Sequence, residues 1–311
     1  MNSPNERRSK ALRRFAGSIS AATVLGHTIL GFEQAYITPL VGVAAAVATE
    51  FILETVEAAT GGRQARYRGS AGEAMDFFLP AYIGGLACAM LLFANSEPAP
   101  TALACVIGVA SKYLLRLRVN GVPRHVLNPS NLGIVTVLLL FPWVGIAPPY
   151  QFTEWLPGWL GAIPPSVILV LGTMLNGKLT GKLPLIGGWV AGFVLQALLR
   201  SAVTDVSMVS ALLPVTGTAF ILYTNYMITD PGTSPGKPRN QAVFGLTIAA
   251  CYGTLVQFHV VFGLFFALIC ACCLRALVLL AAARRSGAVR LPAQLRPQPA
   301  VEPATAMADG A

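Results

Sequence analysis

Two polar runs interrupt an apolar chain. One is Arg124-His125-Val126-Leu127-Asn128-Pro129-Ser130-Asn131-Leu132-Gly133; the other runs from Asn225 to Arg239 around Thr229-Asp230-Pro231-Gly232-Thr233-Ser234-Pro235. Proline lacks a backbone donor, and Asn or Asp can satisfy backbone groups that a break sets free, so such runs interrupt helices and can turn backbone toward a ligand. In the first run Asn128 and Asn131 lie one helical turn apart around Pro129, a favoured first-turn residue. Their side chains and the free amides of that turn suit a polar ring edge or an anion, and His125 stands just before them. In the second run Thr229, Asp230, Thr233 and Ser234 offer hydroxyl and carboxylate groups, while Lys237 and Arg239 bring positive charge to a helix start. The plainer reading of each run is a helix cap beside a basic loop.

Glu50, Glu54 and Glu57 follow i, i+4, i+7 spacing and fall on one stripe of one helix. Glu50 is the deepest and is a candidate proton or cation site; a carboxylate paired with a neighbouring helix is the equal alternative. Asp76, after Glu73, opens the next helix, where negative charge suits the positive helix end. Alternatively it joins a vestibule shared with the two polar runs. Glu50, Asp76, Thr229, Asp230, Thr233, Lys237 and Arg239 thus form the expected ligand or ion pathway.

The elements that must position these residues are hydrophobic. Of 311 residues 55% are hydrophobic and 11% charged, far below the roughly 25% charged of soluble domains. Apolar stretches long enough for the ~30 Å hydrocarbon core recur along the chain. The sequence predicts an all-α polytopic membrane protein with helices at about 15–32, 36–58, 75–94, 100–118, 129–142, 164–176, 183–203, 207–228, 241–257 and 259–283. Residues 1–14 form a basic N-terminus, 15–283 the membrane domain, and 284–311 a Pro- and Ala-rich disordered tail.

The net charge of +9 does not indicate nucleic acid, because the basic residues sort by side. Arg63, Arg66 and Arg68, then Lys112, Arg116, Arg118 and Arg124, then Lys178 and Lys182, then Lys237 and Arg239, then Arg284, Arg285 and Arg290 occupy alternate loops. This is the positive-inside pattern, with both termini cytoplasmic in a bacterial inner membrane. Arg200, beside Asp205 at an outer helix end, breaks the pattern, and Arg275 lies within the last helix. The 143–165 segment, with Trp143, Tyr150, Trp155 and Trp159, reads as interfacial. His27, His125 and His259 lack metal-ligand spacing, and no nucleophile triad or phosphate-binding glycine loop appears. The six cysteines and the pairs Gly84-Gly85 and Gly187-Gly188 suit helix packing.

A five-plus-five inverted repeat would align Arg124-His125-Val126 with Phe258-His259-Val260, and Asn95-Ser96-Glu97-Pro98 with Thr229-Asp230-Pro231. The Arg124–Gly133 run leading to Ile134–Pro142, with Thr229–Pro235 and Phe244-Gly245, resembles the NqrB/RnfD superfamily, the membrane component common to the Rnf electron-transport complex and the sodium-pumping NADH:quinone oxidoreductase. Asn128-Pro129-Ser130-Asn131 and Phe141–Glu154 look most similar to the branch encoded with enediyne biosynthesis genes. The resemblance covers about residues 15–283. It implies ten helices in two inverted halves, similar to urea transporters, and noncovalent riboflavin or FMN beside Asn128, with His125 and Asn131 nearby. The electron-transport members of that superfamily also attach FMN to Thr in a Ser/Thr-Gly-Ala-Thr motif before the sixth helix. Here 143–165 holds only Thr153, in Phe-Thr-Glu, so covalent FMN is not expected.

Three functions follow as expectations. The chain is an accessory membrane electron-transfer or coupled-transport subunit, a small-solute transporter or efflux component for a natural product, or a scaffold recruiting membrane subunits or redox partners at its basic face. A non-catalytic subunit or transporter fits better than a stand-alone enzyme.

Overall fold

A computed structural model describes residues 4–29, 31–32, 34–119, 122–146 and 157–285. Its helices are α1 (Pro4–Thr28), α2 (Thr38–Thr60), α3 (Ala71–Leu91), α4 (Ala99–Leu114), α5 (Pro129–Leu140), α6 (Ile163–Leu175), α7 (Leu183–Val203), α8 (Met208–Leu212), α9 (Thr218–Leu222), α10 (Pro238–Gln257) and α11 (Gly263–Arg285). One compact body extends to Ala276, and a second unit begins at Leu277 with the last turns of α11. The expected tail, 284–311, begins as the end of α11, which runs to Arg285; its residues 286–311, and residues 147–156 of the interfacial segment, lie outside the described residues.

Each predicted stretch carries helix, with three corrections. The first helix begins at Pro4 rather than near 15, because Ser9 and Arg13 are tied to Asp76 on α3 by bonds of 2.5 and 2.7 Å. The fourth ends at Leu114, where β2 (Arg116–Val119) starts and pairs antiparallel with β3 (Val122–His125). The predicted 207–228 helix is broken: Pro214 and Gly217 interrupt it, and its two parts, Met208–Thr216 and Phe220–Met227, bend by 71°. The second part closes on a π-helical turn, Tyr223–Met227. A short ladder, β1 (Leu92–Phe93) with β4 (Gly145–Ile146), ties the loop after α3 to the one after α5.

Among the described residues five helices are long and apolar enough to cross a membrane: Thr38–Thr60, Ala71–Leu91, Gly158–Lys178, Leu183–Val203 and Gly263–Ala283; the bent pair is a sixth candidate. By that criterion the predicted ten is not reached. The apolar helices α4 and α5, at 16 and 12 residues, extend only ~24 and ~18 Å.

Local chemistry explains the ends. Ser70 caps α3 in a capping box, accepting from the Glu73 amide at 3.3 Å while Glu73 accepts from the Ser70 amide at 2.8 Å. Asn128 caps α5 through Oδ1, which accepts from the Asn131 amide at 2.9 Å, with Pro129 in the first turn. Small residues let helices approach. A Cβ on Gly85 would lie 2.8 Å from the Gly42 carbonyl oxygen, and one on Gly188 would lie 2.3 Å from that of Ala242. Of the predicted packing pairs, Gly85 and Gly188 face neighbours, while Gly84 and Gly187 meet nothing within 4 Å. Around the α7–α10 contact, Trp189, Phe193, Phe220, Tyr223 and Tyr252 form one buried aromatic cluster.

Candidate functional site

The two polar runs meet. Asn128, buried at the start of α5, donates from Nδ2 to the Met227 carbonyl in the π-helical turn at 3.1 Å. Asn131 donates to the Phe265 carbonyl at 3.0 Å, and the Tyr223 hydroxyl donates to the Leu264 carbonyl at 2.7 Å. Asn225 is the other anchor: its carbonyl accepts from Asn176 Nδ2 at 2.7 Å and from the Thr229 hydroxyl at 2.6 Å. Carbonyls exposed by a break need partners inside an apolar bundle, and these side chains supply them. The junction is therefore built from the start of α5, the turn that follows α6, the π-helical turn that follows α9 and the start of α11 together.

At the edge of this junction the loop after the π-helical turn wraps on Asp230. Its carboxylate accepts from the Thr233 hydroxyl at 2.9 Å and the Gly232 amide at 3.2 Å, and its carbonyl accepts from the Ser234 hydroxyl at 2.6 Å. This is the local turn chemistry expected of Asp before Pro-Gly. His125 Nε2 lies 3.3 Å from Asp230 Oδ2, with about a quarter of each side chain exposed. Gly232 makes that approach possible, since a Cβ there would sit 2.2 Å from the imidazole. Burial pushes the Asp230 carboxyl up, but His125, Thr233 and the Gly232 amide outweigh it and hold it below the usual carboxylate range.

The acidic stripe has a different environment. Glu50, 3% exposed, is ion-paired to Lys112 and accepts from the Tyr113 hydroxyl at 2.9 Å. Glu54, fully buried, accepts from Arg63 at 2.6 and 3.2 Å and from the Arg66 side chain at 2.5 and 2.8 Å. Glu57 pairs with Arg116 and, at 3.1 Å, with Arg63. Arg66 also lies over the Phe77 ring, 5.2 Å from its centroid. This is the helix-pairing alternative for Glu50. Asp76 bonds Ser9 and Arg13, so the structure joins it to α1. Thr229 and Thr233 are buried in the Asp230 turn, whereas Lys237 and Arg239 are exposed at the start of α10.

The β2–β3 hairpin links the two regions, because Arg116, which holds Glu57, is the ladder partner of His125, which holds Asp230. Opposite residues in an antiparallel pair share a face. The sequence carried a signal for this: Asn120-Gly121 between two valines is a strong two-residue hairpin cue. Lys182 and Asn176 were also missed as site residues. Lys182, buried at the start of α7, donates to the Pro235 carbonyl at 2.8 Å, and Asn176 holds the broken helix. An amide or ammonium amid apolar sequence was the available cue.

Compared with known proteins, the chain matches no family model and no curated protein.

Proposed function

We propose that this chain is a polytopic bacterial inner-membrane protein of ten helical segments in two inverted halves, with both termini cytoplasmic. In this reading α4, α5 and the bent α8–α9 stretch are segments interrupted at depth. The packing supports it: α2 lies against α4 in the first half as α7 lies against α10 in the second. The alternation of basic loops supports the orientation.

The junction of the two polar runs then holds a small polar ligand, and the reading we favour is noncovalent riboflavin or FMN in an accessory electron-transfer role. The carrying observation is Asn131: it is fully buried, and its Oδ1 has no partner among the described residues. A buried acceptor without a donor is costly, and the imide edge of a flavin offers one. The Asn225 Oδ1 is likewise buried and unpartnered. A bound flavin would supply the electron-carrying chemistry. Asn131 would accept from its ring N–H, Asn128 would hold the π-helical turn in place, and the partly exposed His125–Asp230 pair would hold or release a proton. Redox partners or further membrane subunits would meet the basic face.

A small-solute transporter is the second reading, favoured by the buried series Asn176, Asn225, Thr229 that leads to Asp230. The visible absorption of the purified protein and quenching of added riboflavin fluorescence test the first reading. Absence of both, with solute flux in proteoliposomes lost in Asp230→Asn, would favour the second.

A further inference from the structure

Arg200 is the basic residue that breaks the charge alternation, and it lies 18 residues, or about 27 Å, along α7 from Lys182 and the polar junction. Its surroundings are unusual. The buried face of α7 runs Leu185, Trp189, Gly192 and Phe193, then Gln196 and Ala197, so the next position on that stripe is Arg200. Gln196 is 8% exposed, and neither amide atom has a hydrogen-bond partner; Arg200 Nε is also buried and unpartnered. Spaced i, i+4, the two side chains share one face. Gln196 faces α10, where a Cβ on Gly253 would lie 3.1 Å from Gln196 Cβ, while Arg200 is half-buried, its Nε enclosed and the rest of the residue partly open to solvent.

Asp205 does not neutralise the guanidinium: it is exposed, and no carboxylate among the described residues forms an ion pair with Arg200. Buried polar atoms without partners each cost free energy comparable to a lost hydrogen bond, and a charged donor costs more. Three such atoms within about one helical turn describe a site shaped for something with complementary groups. The guanidinium calls for an anionic oxygen. The Gln196 amide adds one donor arm and one acceptor, matching an oxyanion that also carries a hydroxyl.

We infer that Arg200 and Gln196 form an anion site at the end of α7 remote from the polar junction, recognising a phosphate group either free in solution or in a phospholipid headgroup. Guanidinium and phosphate pair through parallel N–H···O bonds, and the buried amide then discriminates against an arginine that merely reaches for the membrane surface. The site shares no residue with the junction, so it stands whether or not a flavin binds there.

The test is thermal unfolding of the full chain in an uncharged detergent at constant ionic strength, titrated with inorganic phosphate in one arm and with phosphatidylglycerol against phosphatidylcholine in the other. The wild type is expected to gain stability with phosphate, with phosphatidylglycerol, or with both. Arg200→Gln and Gln196→Leu should weaken the apparent affinity about tenfold or more. A response to phosphate marks a solute site, and a response to phosphatidylglycerol alone marks a headgroup site. Should Arg200→Gln fail to fold, Gln196→Glu decides: its carboxylate occupies the site from within, raising the unfolding midpoint without added anion and abolishing the titration. The inference is overturned if neither probe stabilises the wild type, if Gln196→Leu responds like the wild type, or if Gln196→Glu still titrates.

Discussion

The C-terminal end of α2 and the junction of the two polar runs are both dense with polar groups, yet they are finished differently. Around α2, the carboxylates of Glu50, Glu54 and Glu57 are met by Lys112, Arg63, Arg66 and Arg116, and Glu54 is sealed from solvent by two guanidinium groups. At the junction the Met227 and Asn225 carbonyls each accept from a buried amide, but Asn131 Oδ1 and Asn225 Oδ1 are left buried without donors. A closed network of ion pairs holds helices in register, whereas a satisfied frame with open acceptors can receive a ligand. Depth made Glu50 the better candidate within the acidic stripe, and Lys112 and Tyr113 give it the paired environment that was its equal alternative.

Substitutions should separate the two regions. The largest effect is expected for Glu54→Ala, which leaves Arg63 and Arg66 without their buried partner. A loss of about 3 kcal/mol is expected, at the low end for a broken buried pair because both arginines are partly exposed. Thermal unfolding in detergent measures it, and riboflavin affinity per folded molecule should not change. Asn128→Ala removes both the α5 cap and the bond to Met227, for about 2 kcal/mol. Asn128→Asp keeps the capping oxygen and loses only the donor, so a smaller stability loss with an equal loss of ligand would show that the Met227 bond shapes the site.

Gly232→Ala comes next, at about 1 kcal/mol, because the new Cβ would displace the His125 ring. Its ligand or flux defect should exceed its stability defect, and a proportionate loss of both would reduce the His125–Asp230 contact to packing. The smallest effect is a pH dependence. Asp230 is held below its ordinary range when folded, so the stability it contributes is fully present above about pH 3.9 and disappears as the pH falls through its lowered value. Comparing acid unfolding of the wild type and Asp230→Asn isolates that contribution; identical acid limbs would deny it.

Much of the fold was legible because proline and polar runs bound the apolar stretches, and Pro39, Pro129 and Pro238 each stand in the first turn of a helix. The break at Pro214–Gly217 was not legible, since it interrupts a stretch whose hydropathy continues on both sides and so reads as one helix. The meeting of His125 with Asp230 and of Asn128 with Met227 joins residues about a hundred positions apart, a product of tertiary packing that local periodicity does not encode. The destination of Asp76 was equally hidden, because it depends on α1 extending back through Ser9 and Arg13.

The most direct test of the junction as a ligand site is riboflavin fluorescence quenching by the purified full chain, with Asn131→Leu as the matched variant. Binding by the wild type, weakened about tenfold or more in Asn131→Leu while the unfolding midpoint stays within a few degrees, is the expected result. A colourless wild-type protein that leaves riboflavin fluorescence unchanged, or equal binding by the variant, would contradict the flavin reading.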